Sequence, residues 1–588
     1  ERSSRDAGVG PSDGSPLPDA VAPEPGYRLD HALFTSFTLD LTTLMEIPVA
    51  LTFQEWKVRG PESKLSRIAV LDAIQRYVGR LTVVSQAGSI TGPAKGHPLL
   101  PLLEPAIVPV VMPDHSTFHP KLTLLRYLAD DDALDEGADE VTYKMVCSSR
   151  NLSRSRAWDT IVVLDGTLTK RRQADSKGLD RFVKGVTEMA EDCPTGIDPE
   201  RVGKLELFAS ELPRVHFRRP PEIKDGDGHM KMVPIGFGGR FRPEPVRGDQ
   251  KRLLITPFLG GLSDDLRGDR ILEQFASGLT TLVSRQSELD RVPAELLERF
   301  GEVLVLSDAA EEAEDDSEGD ETGSMAAGHS DLRGLHAKLI VEDDGHSSQI
   351  LIGSPNLSDR AFSQNREFAL QLTVSKHLTG VDKILGSDPK SGLRRFLQEY
   401  RRAEVPDDSE AEVRAAERRI DEFADQLLRA NLMLRIEAPS GEESDHRDIW
   451  LEAGDSVSGL PDDVTAEARP VSLASERMVP IDIASHRAAA WPEVPVQSIT
   501  SLIAVRLTTE AGNRPVSRTF LTKVRLGDPL PENRGRLVVR RLIDSSVSSS
   551  RLRARRRCTT SAVGTSRSIT RSSRCGPRIR SSSLAWNS

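Results

Sequence analysis

Cysteine is scarce. The 588-residue chain holds four (Cys147, Cys193, Cys558, Cys575), with no CxxC pair and no Cys/His cluster at zinc spacing. Neither a disulfide scaffold nor a structural zinc site organises such a chain, and the cytoplasm is the expected compartment. Long apolar runs are missing too. The longest, Pro98 to Pro113, contains Glu104 and five prolines, whereas a membrane-spanning helix needs roughly 20 consecutive apolar residues. No stable membrane insertion is expected. Residues 1–27 carry Gly, Pro, Ser, Asp and Glu in place of a basic segment followed by an apolar one, so they do not read as a secretory signal. Aromatic residues make up 5% of the chain, and no amphipathic membrane helix is apparent.

What is present fits a globular protein: 38% hydrophobic and 28% charged residues, over a length that suggests about three or four units. The net charge is −11, yet residues 545–588 hold ten Arg and no Asp or Glu, which leaves −21 on residues 1–544. An acidic body argues against a broad grip on nucleic acid and leaves room for a local basic cleft.

Residues 1–27 read as a disordered segment. From 28 to about 402, short β-rich runs (Leu33 to Leu39, Arg80 to Val84, Ile107 to Met112, Leu253 to Phe258) alternate with helix-like stretches such as Asp265 to Glu288, a pattern of the α/β class. The expected division is a first half at 28–250 and a second at 251–402. Within the second, residues 308–322 form an acidic disordered loop, with nine Asp or Glu between Asp308 and Glu321. A connecting helix is expected at 403–432. Residues 433–543, with Ile499 to Leu507 and Phe520 to Leu526, read as a smaller β-rich C-terminal domain whose role the sequence does not disclose, in a C-terminal region open to protein partners. Residues 544–588, rich in Ser and Arg, read as a disordered tail.

The informative feature is an internal repeat. One copy reads FHPKLTLLRYL (118–128) and then YKMVCSSRNLS (143–153); the other reads LHAKLIVEDD (335–344) and then QILIGSPNLS (349–358). Residues two apart on a strand share a face, so His119 with Lys121 and His336 with Lys338 each present an imidazole beside an ammonium. If each copy folds as a hairpin, His119 lies near Asn151 and His336 near Asn356. FTSF (34–37) and ITPF (255–258) stand at similar distances before the two histidines, so the repeat covers whole half-domains. About 0.35 His-x-Lys triplets are expected by chance and the chain has three. The third, His229 with Lys231, lacks a downstream Ser-x-Asn and reads as a surface coincidence.

Two histidines and two lysines about one point, with Asn and Ser donors including Ser149 and Ser354, suit a tetrahedral anion, phosphate above all. One neutral imidazole can attack phosphorus to form a phosphohistidine while the other, protonated, gives its proton to the leaving oxygen. Lys121, Lys338, Asn151 and Asn356 would donate to the non-bridging oxygens. The ammoniums should depress the imidazole pKa values, and Asp159 and Glu367 stand where they could orient the rings. No metal and no cofactor is called for.

The second copy, with His336, Lys338 and Asp343 followed by Gly353, Ser354, Asn356 and Glu367, resembles the phospholipase D superfamily and its H-x-K-x4-D motif. In the first copy Arg126 stands in place of the Asp and Ser148 in place of the Gly. HPKLTLLRY, SSRNLS and Trp158-Asp159 look nearest to the tyrosyl-DNA phosphodiesterase branch and bacterial HKD-family nucleases. The resemblance covers roughly residues 28–400. It implies two fused α-β-α halves with the active site at their interface, His119 as nucleophile and His336 as acid. The expected activity is metal-independent hydrolysis of phosphodiester bonds, with nucleic acid the favoured substrate. A phospholipase or phosphatidyl transferase of the same superfamily, with a phospholipid substrate, is the first alternative. A catalytically inactive phosphate-binding or adaptor protein is the second.

Overall fold

The computed structural model describes residues 20–59, 67–93, 97, 99–113, 116–154, 157–220, 229–260, 270–307, 334–388, 391–402, 408–437, 445–454, 463–483, 485–512 and 514–527. The acidic run at 308–322, the Ser/Arg tail and residues 1–19 lie outside these. The fold is mixed α/β.

The N-terminal part contributes β1 (Tyr27–Ser36), β2 (Leu39–Asp40), β3 (Leu81–Gln86), β4 (Ile90–Thr91), β5 (Ile107–Val110), β6 (Leu122–Ala129), β7 (Val141–Ser148), β8 (Ile161–Leu168) and β9 (Val215–Phe217). The middle contributes β10 (Met230–Ile235), β11 (Arg252–Ile255), β12 (Thr280–Val283), β13 (Glu302–Leu306), β14 (Leu339–Asp344), β15 (Ser347–Gly353), β16 (Glu367–Ser375) and β17 (Leu397–Glu399). One seven-stranded sheet runs β5-β3-β1-β6-β7-β8-β9, and one eight-stranded sheet runs β17-β13-β12-β11-β14-β15-β16-β10. Six consecutive strands thus correspond in order. The senses correspond as well: β1 is parallel to β3 and β11 to β12, while the hairpins β6–β7 and β14–β15 are antiparallel.

Register makes the equivalence residue-specific. Leu122 pairs with Cys147 and Leu339 with Ile352, each three residues after a site histidine. Phe34 pairs with Thr123, and Ile255 with Leu339, so Ser36 is the counterpart of Thr256. The alignment of FTSF with ITPF is therefore one residue out of step. The two hydroxyls confirm the corrected register: Ser36 Oγ accepts from the Leu152 amide at 2.8 Å, and Thr256 Oγ1 from the Leu357 amide at 3.1 Å.

The halves are not separable at residue 250. Met230–Ile235, placed by sequence in the first half, pairs antiparallel with β16 of the second sheet. The helix Leu179–Glu191 turns Phe182, Val183 and Val186 inward, at the three- and four-residue spacing of a buried helical stripe. Phe182 meets Phe368 of β16 at 5.1 Å and Phe237 at 4.8 Å. One apolar core runs from Leu124 and Met145 through Phe182 to Val341 and Phe368.

Other expectations need correction. The helix-like stretch Asp265 to Glu288 contains strand β12, flanked by the short helices Arg270–Phe275 and Gln286–Leu289; Ser277, Gly278 and Leu279 break the helix and Thr280–Val283 supplies a β-branched run. Within the segment read as disordered, Ala20 and Val21 are buried, and Tyr127 donates its hydroxyl proton to the Val21 carbonyl at 2.7 Å.

The helix Asp408–Arg429 buries Ile420, Phe423, Ala424 and Leu427. It precedes β18 (Met433–Ile436), β19 (His446–Glu452), β20 (Thr465–Pro470), β21 (Val479–Pro480), β22 (Ala489–Pro495), β23 (Leu502–Ala511), β24 (Arg514–Lys523) and β25 (Arg525–Leu526). This β-rich region is not a detached module. Its β24 pairs with β4, which is parallel to β2, giving one sheet in the order β2-β4-β24-β23-β20-β21. Thr500 Oγ1 and the Ser501 amide both donate to the buried Glu104 carboxylate, at 2.9 and 3.2 Å. Among the described residues no helix is long and apolar enough to cross a membrane.

Candidate active site

The two His-x-Lys segments lie just before β6 and β14, and each is stitched to the opposite half. The His119 amide donates to the Arg366 carbonyl at 2.8 Å and the Arg366 amide to the Thr117 carbonyl at 2.9 Å. Across the seam, the His336 amide donates to the Trp158 carbonyl at 2.9 Å and the Trp158 amide to the Gly334 carbonyl at 2.9 Å. Arg366 and Trp158 immediately precede Glu367 and Asp159. These backbone bridges therefore set each histidine against the carboxylate of the other half: His119 Nδ1 lies 2.9 Å from Glu367 Oε2, and His336 Nδ1 lies 2.7 Å from Asp159 Oδ1.

Asp159 and Glu367 stand 8 and 11 residues beyond their asparagines, yet occupy equivalent positions. Ser148 pairs with Ile161 and Gly353 with Ala369, which puts both carboxylates two residues before the paired residue. Ser149 and Ser354, read from sequence as donors to the anion, hold these carboxylates instead. Ser149 Oγ donates to Asp159 Oδ1 at 2.7 Å and accepts from the Thr160 amide at 2.8 Å; Ser354 Oγ donates to Glu367 Oε2 and accepts from the Phe368 amide at 3.0 Å.

With Nδ1 on a carboxylate, each Nε2 turns to its own lysine: Lys121 Nζ lies 2.8 Å from His119 Nε2, and Lys338 Nζ lies 3.3 Å from His336 Nε2. An ammonium only donates, so each Nε2 accepts and each ring is neutral with its proton on Nδ1. Burial is the main cause, lowering the His119 pKa against the pull of Glu367 and taking His336 down to about 4 despite Asp159. The ammoniums contribute, but less than burial in His119 and second to it in His336. Lys338 acts on His119 and Lys121 on His336 as well as on their own partners, so the four groups share one electrostatic site. Burial alone would raise the Asp159 carboxyl, but hydrogen bonds from His336 and Ser149 hold it below the usual carboxylate range.

Asn151 is buried and its Oδ1 accepts from the Thr38 amide at 3.4 Å. Asn356 lies at the matching position, its Oδ1 buried without a hydrogen-bond partner among the described residues. The third triplet lies apart: His229 and Lys231 are exposed at β10.

Sequence reasoning missed Asn365, whose Nδ2 donates to Glu367 Oε1 at 3.2 Å while its Oδ1 accepts from the Thr117 amide at 3.2 Å. It missed Phe37, whose ring lies 5.3 Å from that of His119. Phe37 stands inside the FTSF segment, but in the corrected register its counterpart is Pro257, so the repeat did not mark it. Asn365 has no counterpart in the first copy, and the repeat gave no signal for it.

Among the described residues, no group of three or more His, Cys, Asp or Glu side chains is arranged to hold a metal ion. No family model matches the chain, and no curated protein matches it. Among solved structures the chain is similar to phosphatidylserine synthase of Haemophilus influenzae Rd KW20, at 11% identity and a TM-score of 0.30, over 68% of this chain and 90% of that one. A likeness this distant carries no argument about activity.

Proposed function

We propose that the protein is a phospholipase D-like phosphodiesterase in which two half-domains share one site and hydrolysis runs through a phosphohistidine. The observation that carries this reading is the crossed pairing of His119 with Glu367 and His336 with Asp159, which ties two imidazole–ammonium pairs to one seam. In the proposed reaction, Nε2 of His119 attacks phosphorus as the phosphate oxygens draw Lys121 away from it. The P–O bond to the leaving alcohol breaks, and His336 gives that oxygen its proton. Water then attacks the phosphohistidine with His336 taking a proton, and the P–N bond breaks to return His119. Lys121, Lys338, Asn151 and Asn356 balance the charge on the non-bridging oxygens. His119 keeps 13% of its side chain exposed and His336 only 4%, which favours His119 as the group that meets phosphorus.

Both imidazoles are neutral without substrate, so the acid must gain its proton as the phosphate anion binds. An anion between two ammoniums offsets their repulsion of the imidazolium and raises the His336 pKa. Every reacting group is a side chain, so cleavage of a generic diester in EDTA is expected, and His119→Ala should abolish it. Activity lost to chelator and kept in His119→Ala would overturn the mechanism. Nucleic acid is the proposed substrate. Phosphatidyl transfer is the second reading, favoured by Ile161 and Val163, which expose apolar side chains on β8 close to Asp159.

A further inference from the structure

The two walls of the site differ where the fold makes them equivalent. Beside His336, the Trp158 ring packs 4.7 Å from Phe396, and the Arg395 guanidinium lies 4.4 Å from the Phe396 centroid. Arg285 lies 4.8 Å from the Phe258 centroid and donates through Nε to the carbonyl of Leu335, the residue before His336, at 2.8 Å. Beside His119, register puts Arg366 where Trp158 stands, Gln86 where Arg285 stands and Thr38 where Phe258 stands. Gln86 accepts from the amide of Phe118, the residue before His119, at 2.8 Å. One wall is a set of aromatic rings with guanidiniums over them; the other has polar side chains at the matching positions, with the Phe37 ring beside His119 and no guanidinium over it among the described contacts.

We propose that the wall formed by Phe258, Arg285, Trp158 and Phe396 is a stacking platform for an unpaired base, so that the substrate is single-stranded nucleic acid. The proposal rests on the phosphoryl-transfer reading above and names its substrate class. Aromatic and guanidinium faces together stack bases of any sequence, and an unpaired strand offers those faces where a duplex hides them. Guanidiniums already lie against Phe258 and Phe396, so a cationic lipid headgroup brought to the same rings would meet like charge. The acidic body fits a substrate gripped at one or two nucleotides near the scissile phosphate better than one held along a groove.

The test uses the full chain carrying His119→Ala, which binds without turnover, and fluorescence anisotropy with two probes of equal length and charge: a single-stranded 12-mer and its abasic counterpart. Stacking predicts about tenfold tighter binding of the based strand. Phe258→Leu and Phe396→Leu, each checked for an unchanged thermal midpoint, should bring that ratio below about threefold. Equal affinity for the two probes, or a ratio that both substitutions leave intact, would overturn the platform. Cleavage is read separately with His119 restored. A base preference with no cleavage of any diester keeps the platform and sinks the hydrolase reading. Phosphatidylserine vesicles cleaved faster than the 12-mer would overturn nucleic acid as the substrate and leave the phosphohistidine chemistry standing.

Discussion

The two halves share strand order and register but differ at one buried corner. At the first, Arg126 donates to Asp30 at 2.8 Å and to Glu211 at 2.8 Å, and the Tyr143 hydroxyl also donates to Glu211. At the equivalent corner of the second, Asp343 accepts from Ser348 at 2.8 Å and from the Val381 amide at 3.2 Å, with Lys376 3.2 Å away. Opposite charges fill one fold position, each met by groups that complement it: carboxylates around Arg126, and two hydrogen-bond donors and an ammonium around Asp343. Among the described residues neither corner joins the hydrogen-bonded set around the histidines, so under the proposed mechanism the position serves packing.

That difference is sharpest if the histidines are unequal. His119→Ala should reduce turnover by about 10⁴-fold and give no burst of p-nitrophenolate from a p-nitrophenyl diester. His336→Ala should keep a burst of about one equivalent, because that leaving group needs no acid, and then stall as the phosphohistidine waits for a base. A burst in His119→Ala and none in His336→Ala would reverse the roles.

The corner is broken by Arg126→Met, which strips the buried Glu211 of its hydrogen-bonded countercharge, leaves the half-buried Asp30 with Lys204, and should cost about 3 kcal/mol in urea denaturation. Asp343→Ala should cost about 1 to 2 kcal/mol, because Ser348 and Val381 lose an acceptor but Lys376 is partly solvated. Turnover per folded molecule should stay within about twofold in both. A tenfold loss would tie the corner to the chemistry.

The carboxylates test whether the crossed pairs act alike. Glu367→Gln and Asp159→Asn should each lower kcat by about 10²-fold, since the rings lose orientation and their imidazolium its counter-ion. Both carboxylates raise the pKa of the ring they face. Loss of Glu367 should therefore move the acid limb of the pH–rate profile, set by neutral His119, to lower pH, and loss of Asp159 should move the alkaline limb, set by protonated His336, to lower pH, effects that a merely structural role would not produce. A kcat loss with an unmoved limb would reduce them to packing residues.

Much of this site was readable before any fold was known. His-x-Lys followed by Ser-x-Asn carried the hairpin, and the hairpin put His119 and Asn151 at one end. What stayed hidden depends on contacts between distant segments. Which carboxylate meets which histidine follows from the Phe118–Arg366 and Trp158–Leu335 bridges, and no local pattern encodes a bridge across the seam. The serines beside the asparagines had the right chemistry for an anion, but the carboxylates next to them hold those hydroxyls. Met230–Ile235 reads as a strand in either half; its membership follows from pairing with β16. Likewise, nothing in Phe520 to Leu526 announces that Leu521 will meet Ile90.

The smallest effect concerns His31, which has no equivalent in the second half. It is buried in β1, hydrogen-bonded to Thr82 at 2.9 Å, and burial with the nearby Arg201 and Lys204 lowers its pKa to about 3. Above about pH 6.5 the folded and unfolded chains both hold it neutral, and the site contributes its full stability. Between about pH 6.5 and 3 the unfolded chain binds a proton that the folded chain refuses, so stability falls as pH falls, by about 1.4 kcal/mol per unit for this group. His119 and His336 shift in the same direction and should steepen the slope. Urea midpoints at pH 7.5 and 5.5 should therefore separate for the parent protein and separate less for His31→Gln, which cannot titrate. A pH dependence that the substitution leaves unchanged would mean that His31 gains its proton without unfolding, and that β1 is looser than its burial implies.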